Sequence, residues 1–185
     1  MIIGLTGRSA AGKGTVAECL KKKGYIFHSC SDILRLELKK RNINEDLPNL
    51  IDIGNVLRQE EGAGVLGKRI LQLIQDNNEE KSLVDSIRNP EEIKELKIAG
   101  SNFVLLAIDA PLEVRYERVK NRGRAGSDIS FEEFKKCDEQ EFKSDNPKSQ
   151  QILACMNLAD YKINNEGTLE ELNTKIDNIL EKINE

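Results

Sequence analysis

The sequence predicts an α/β fold with three layers, α/β/α, built on a central, five-stranded parallel sheet. Three observations carry this prediction. Short apolar runs alternate with longer stretches of helical period, the pattern of successive βαβ units. The chain opens on one such run, Met1 to Thr6, which ends at Gly7 and leads into a helix. The most apolar run, Phe103 to Asp109, reads as a strand covered on both faces and is followed by Pro111, a helix opener.

The remaining elements follow in order. From Lys13 to about Lys23, Val16, Ala17 and Leu20 share one helical face, and Gly24 stops the helix. Tyr25 to His28 is a short strand, and Ser31 or Asp32 is placed to cap the next helix, through Ile33, Leu34, Leu36 and Leu38. Residues 46–77 read as further helix, broken at Glu61-Gly-Ala-Gly64. Ser82 to Asp85 is a strand, and Pro90 begins the helix Glu91 to Ile98. The helix after Pro111 carries Val114 and Val119. Residues 123–150 change character, with glycines, many charges and Asn146-Pro147, which marks a lid; Phe131-Glu-Glu-Phe134 makes part of it helical. Asp160 to Ile163 is the fifth strand, and Thr168 caps a last amphipathic helix through Leu172, Ile176 and Ile179. One domain, residues 1–185, is expected, with residues 29–78 as a helical acceptor-binding region and residues 123–150 as the lid.

Composition narrows the function. At 185 residues, with 38% hydrophobic and 32% charged residues of mixed sign, the chain has a core and is not a disordered segment. A net charge of −4, no Trp and few aromatic residues disfavour a nucleic acid partner. The four cysteines form no C-x-x-C pair and there is one histidine, so no metal-ligand spacing is present. No apolar run reaches the length of a signal peptide or membrane span, so a cytoplasmic protein is expected, as a monomer or small homo-oligomer, with no membrane partner.

The chemistry is concentrated at Gly7-Arg8-Ser9-Ala10-Ala11-Gly12-Lys13-Gly14-Thr15, which matches G-x-x-x-x-G-K in the required setting after a strand and before a helix. Glycines let the backbone curl so that successive N–H groups face one anion, and the helix N-terminus adds its positive end there. Lys13 is expected on the β- and γ-phosphates of a nucleoside triphosphate. Asp85, at a strand end, suits a carboxylate that orders Mg²⁺ and its waters. Arg118 and Arg122, four apart on one helix, can reach the same phosphates. His28, ending a strand beside the expected acceptor pocket, reads as a packed structural histidine.

The Gly12-Lys-Gly-Thr15 ending places a glycine where the common pattern has Ser or Thr, and it resembles the nucleoside monophosphate kinases, adenylate kinase especially. Ser29-Cys-Ser-Asp-Ile-Leu-Arg35 is similar to that family's Ser-Thr-Gly-Asp-Met-Leu-Arg stretch, which implies that Arg35, with Ser31 and Asp32 beside it, grips the acceptor phosphate. Leu83-Val-Asp-Ser-Ile-Arg88 stands where the family has Asp-Gly-Phe-Pro-Arg, one residue longer, which implies an acceptor contact for Arg88. Glu117-Arg-Val-Lys-Asn-Arg122 resembles the Glu-Arg-Ile-x-Gly-Arg entry to the lid, which implies that Arg118 and Arg122 neutralise the transferring phosphoryl group. No arginine follows Arg124, where adenylate kinases carry more on the far side of the lid. Arg58 is a second acceptor-side candidate.

The C-terminal Leu158-to-Leu172 stretch is instead similar to the Ala-Asp-x-x-Ile-x-Asn-x-Gly-Ser ending of dephospho-coenzyme A kinases, as is Ile3-Gly-Leu-Thr-Gly7. That family's Asp-Ala-Asp and Pro-Leu-Leu-Phe-Glu segments have no match here. Asp85-Ser-Ile-Arg88 is also similar to a poorly characterised group of kinase-like P-loop proteins, some related to deoxynucleotide metabolism. These resemblances imply a P-loop kinase fold with ATP and Mg²⁺ as cofactors, the metal on Asp85 and, through water, Thr15. They place Asn165 and Gly167 near the nucleotide base. The expected activity is ATP-dependent phosphoryl transfer to a small phosphorylated acceptor, a (deoxy)nucleoside monophosphate or dephospho-coenzyme A. The alternative is a nucleotide-binding regulatory ATPase without kinase activity. A GTPase is disfavoured because no Asn-Lys-x-Asp stretch occurs.

Overall fold

A computed structural model describes residues 1–98, 102–121, 129–142 and 149–184. Its elements in chain order are β1 (Ile2–Gly7), α1 (Lys13–Lys22), β2 (Ile26–Ser29), α2 (Cys30–Lys40), α3 (Leu47–Glu61), α4 (Val65–Asp76), β3 (Ser82–Asp85), α5 (Pro90–Lys97), β4 (Phe103–Asp109), α6 (Leu112–Asn121), α7 (Phe131–Phe142), α8 (Ile152–Asn157), β5 (Tyr161–Asn164) and α9 (Leu169–Asn184).

All strands pair in parallel, in the order β2-β3-β1-β4-β5. β1 is therefore central, and every residue in it is buried. Alternation along the strands sends side chains to opposite faces. Ile2, Val84 and Leu105 join the core under α2 to α5 and α8. Ile3, Leu5, Leu83, Leu106 and Ile163 join the core under α1 and α9. The two cores make the three layers, and the C-terminal ends of β1, β3 and β4 converge at one edge, where open α/β sheets bind ligands.

Local chemistry explains the boundaries. Asn89 and Glu92 form a reciprocal capping box at the start of α5, with Pro90 in the first turn. Ser130 and Glu133 cap α7 in the same way, and Phe131 packs edge-on against Tyr116 of α6, ring centroids 5.2 Å apart. β2 lies one residue later than the alternation suggested, because Tyr25 N–H closes the turn after α1 by bonding Leu20 O. α8 was not anticipated: six residues are too few to show a helical period. The expected lid is described only in part; its residues 129–142 include α7, while 123–128 and 143–148 lie outside the described residues. No helix among the described residues is long and apolar enough to cross a membrane.

Candidate active site

The loop between β1 and α1 is shaped by backbone constraints that its residues meet. Gly7 has φ 137°, and a Cβ there would sit 2.0 Å from Ile108 O on neighbouring β4. Gly12 has φ 103°, and its missing Cβ leaves room for Asn165 Nδ2, which would otherwise be 2.1 Å away. Only glycine satisfies both demands. Ala10 is also left-handed, at φ 58°. No side chain caps α1, so its first N–H groups are directed into the loop. A Cβ on Gly14 would meet nothing within 4 Å, which leaves the approach to that turn open. Lys13 Nζ lies across the loop, donating to Gly7 O and Arg8 O, both at 2.9 Å. Backbone donors, a helix N-terminus and one cation thus share a concave anion site.

On one side of the loop is a cavity of about 350 Å³ lined by Gly12, Thr15, Arg118, Asn165, Gly167 and Leu169, among others. Asn165 Nδ2 donates to Ala11 O at 2.9 Å, and its backbone N–H to Asp109 O at 2.7 Å. Arg118 Nη1 donates to Ala11 O at 3.2 Å and Nη2 to Asn165 O at 2.9 Å. Arg118, expected on the transferring phosphoryl group, is instead packed against the loop's outer carbonyls and lines this cavity. Thr15 lines it too. One residue beyond the position directly after the lysine is about 100° further round the helix, and there Thr15 meets the cavity. Arg122 and Arg124 lie outside the described residues.

On the other side, Asp85 ends β3. Ser86 Oγ donates to its Oδ2 at 3.3 Å, while Oδ1 is buried with no hydrogen-bond partner among the described residues. Ser86 is left-handed at φ 63°. The turn it makes is gripped by β1: Ile87 N–H bonds Leu5 O at 3.2 Å, and Thr6 Oγ1 donates to Ile87 O at 2.9 Å. An orphaned carboxylate oxygen is a hard donor that suits Mg²⁺, which keeps several waters and takes its other ligands from phosphates. Among the described residues no group of three or more His, Cys, Asp or Glu side chains converges into an all-protein cage.

Beyond Asp85 is a second, smaller cavity of about 60 Å³, lined by Cys30, Ser31, Leu34, Arg58, Ser86 and Arg88, among others. Arg58 is 4% exposed. Its Nη2 donates to Glu92 Oε1 at 2.9 Å, and its Nε has no partner among the described residues. Gly54, one turn earlier on α3, leaves the space that the guanidinium fills. Glu92 Oε2 accepts the N–H groups of Arg88 and Asn89 at 2.9 and 3.1 Å, so one fully buried carboxylate ties α3 to the start of α5. Arg88 Nη1 donates to Gln150 Oε1 at 2.6 Å. Burial first, then the Glu92 carboxylate, pushes the Cys30 thiol well up, against the pull of Arg58 and Arg88.

Arg35 and Asp32 do not join this group. Their 2.8 Å ion pair and the 2.8 Å bond from Arg35 Nε to Glu45 lie on the exposed face of α2, with the Arg35 side chain 42% exposed. The helix turns its Cys30–Leu34–Leu38 stripe inward, which carries Arg35 about 100° away from it. The structure therefore gathers Ser31, Arg58 and Arg88, reversing the order of importance given to Arg35 and Arg58 by sequence. His28 pairs with Glu79 at 2.8 Å.

Sequence reasoning missed one assembly altogether. Asp138 of α7, buried, receives Arg115 through both Nη atoms, Nη2 at 2.9 Å, and Arg8 Nη1 at 2.5 Å. Arg115 is 1% exposed and also donates to Ala110 O at 2.9 Å and Ser9 O at 3.4 Å. Arg8 stacks on the Phe142 ring, 3.5 Å from its centroid. The signals were weak: Arg115 lies three residues before Arg118, and Asp138 four after Phe134 on the inward face of α7.

The phosphate loop at the head of a central parallel strand, with cavities to either side, defines a P-loop protein with an α/β kinase-like fold. The chain belongs to the family described as AAA domain, whose family model matches residues 3–142, and to the UPF0200 proteins. A UPF0200 protein of Sulfurisphaera tokodaii is 33% identical over 182 residues, covering 98% of this chain and 97% of that protein. A UPF0200/UPF0201 protein of Archaeoglobus fulgidus is 35% identical over 98% of this chain, which spans 55% of that protein's length. Among solved structures, the Thermus thermophilus protein TT1252 is similar, with TM-score 0.60 and 23% identity over 98% of this chain and 97% of that one. Shikimate kinase from Aquifex aeolicus superposes with TM-score 0.53 and 21% identity, covering 98% and 96%. At these identities the likeness is one of fold.

Proposed function

We propose that this protein is an ATP-dependent phosphotransferase acting on a small phosphorylated acceptor, in the manner of nucleoside monophosphate kinases and dephospho-coenzyme A kinases. The observation that carries this reading is the second, arginine-lined cavity beyond Asp85, apart from the cavity at Arg118 and Asn165. A protein that only binds nucleotide needs one of these; a transferase needs both.

In this reading the cavity at Arg118, Asn165 and Gly167 takes the nucleoside. The loop N–H groups and Lys13 take the phosphates, with Lys13 Nζ exchanging the Gly7 and Arg8 carbonyls for phosphate oxygens. Asp85 and the acceptor-side Arg58 and Arg88 face the other substrate, with Ser31 at the cavity wall. Mg²⁺, when bound, neutralises phosphate charge, and Asp85 is the residue to hold it through water. Phosphoryl transfer asks mainly for positioning and charge stabilisation, which these groups supply.

The test is ADP release from ATP and Mg²⁺ across a panel of acceptors. An acceptor is expected to raise the rate well above the ATP-only background, and Lys13→Ala to lower it by about 100-fold or more with the fold intact. Near-normal turnover in a folded Lys13→Ala protein contradicts the assignment. The tie from the loop to α7 through Asp138 favours a second reading, a regulatory ATPase whose loop state is passed to a partner; no acceptor response at all supports it.

A further inference from the structure

The two cavities differ in a way that bears on what the acceptor is. The nucleoside-side cavity, about 350 Å³, has the room of a small-molecule site. The acceptor-side cavity is about 60 Å³, enough for a compact head group but not for a nucleobase and ribose. Its walls include Leu34, Leu50, Ile51 and Leu66, and no aromatic ring lines it among the described residues. Stacking on an aromatic ring, the sequence-tolerant way to hold a base, is thus not offered there.

Its polar content is specific. Arg58 lines the cavity, is almost wholly buried, spends one Nη on Glu92, and has a buried Nε with no partner among the described residues. A buried donor without a partner costs free energy unless a ligand or water satisfies it. Arg88 shares the wall, and a guanidinium suits phosphate or carboxylate oxygens.

Resting on the phosphotransferase reading above, we infer that the acceptor is a compact aliphatic phosphomonoester without a nucleobase. Its phosphate meets the guanidinium groups of Arg58 and Arg88, and its short carbon body lies on Leu34, Leu50 and Ile51. In the transfer, an oxygen of the acceptor phosphate attacks the γ-phosphorus of ATP. The bond from that phosphorus to the β–γ bridging oxygen breaks, ADP leaves with the electron pair, and the acceptor becomes a diphosphate ester. The attacking oxygen is already ionised, so no base is required.

The experiment compares ADP release with ATP and Mg²⁺ in the presence of butyl phosphate, 3-methylbutyl phosphate or glycerol 3-phosphate, and separately of AMP, dAMP, CMP, UMP and GMP. The aliphatic phosphates are expected to raise the rate at least about tenfold over the ATP-only background, and the nucleotides to leave it near background. Arg58→Lys tests the anion contact, and Ile51→Trp, a change at a half-exposed helix position, tests the aliphatic wall without disturbing the Arg58–Glu92 pair. Both are expected to raise the acceptor KM more than they lower kcat. A nucleoside monophosphate that outperforms every aliphatic phosphate overturns this inference and leaves the phosphotransferase reading standing. No response to any acceptor, with ATP binding intact, overturns both.

Discussion

Replacing Asp138 with Ala tests the assembly that joins the phosphate loop to α7. The carboxylate is buried and takes three hydrogen bonds, two from Arg115 and one from Arg8. Its removal leaves Arg115, at 1% exposure, with the Ala110 and Ser9 carbonyls and Asp109 at 3.9 Å, and Arg8 with the same Asp109 at 3.9 Å. Breaking a buried pair by deleting one partner costs about 3–5 kcal/mol, because the surviving charge stays desolvated. For a chain of this size each kcal/mol moves the midpoint by roughly 2–4 °C, so Tm is expected to fall by about 6–20 °C. Thermal unfolding followed by circular dichroism measures this. Adding Arg115→Met to Asp138→Ala is expected to restore at least about half of the loss, since an apolar replacement removes the stranded charge. A single variant within about 2 °C of the parent, or a double variant that loses the sum of both changes, refutes the reasoning.

Other consequences follow from the same geometry. Asn165→Ala removes a bond from Nδ2 to Ala11 O that braces the loop; ATP affinity is expected to fall by roughly 3- to 10-fold by calorimetry, the worth of one such bond. Gly12→Ala places a Cβ 2.1 Å from Asn165 Nδ2 at φ 103° and is expected to weaken ATP binding further than Asn165→Ala does; equal binding contradicts the described loop. Burial works against ionisation of Glu79, but hydrogen bonds from His28, Ser82 and Asn77 outweigh it and hold the carboxyl below its usual 4.5. A lowered folded pKa means stability that is present above about pH 4.5 and lost as pH falls through the folded value. Glu79→Gln should therefore flatten the acid limb of the stability–pH curve, and an unchanged limb refutes this. Burial raises the thiols of Cys30 and Cys155, whereas Cys137 is exposed; a colorimetric thiol reagent is expected to titrate Cys137 first, with those two reacting only on unfolding.

Much of the fold was legible because its signals are local. β1, β3, β4 and the helix at Pro90 announce themselves through apolar runs and that proline, which need no distant partner. The loop was legible because Gly7 and Gly12 sit at positive φ and Lys13 begins the helix, although Ile108 O and Asn165 Nδ2 also exclude a side chain at the two glycines. What was not legible depends on packing across the chain. Whether Arg35 or Arg58 faces the cavity depends on which stripe of α2 and α3 the sheet buries, and both arginines sit in similar helical surroundings by sequence. Arg115, Asp138 and Arg8 are spread over 130 residues, and a charged residue on a helix reads as solvated until its partner is known. α8, with six residues, is held by the surrounding core and by its cap contacts, not by a period of its own.

The most direct test of phosphoryl transfer follows the γ-phosphoryl group itself. ATP labelled at that position is incubated with the protein, Mg²⁺ and the acceptor panel, and the products are separated. The account predicts that label appears in an organic phosphate ester, that its yield tracks ADP release, and that Lys13→Ala abolishes it. Label found in inorganic phosphate alone, with every acceptor, would contradict the account and leave an ATPase.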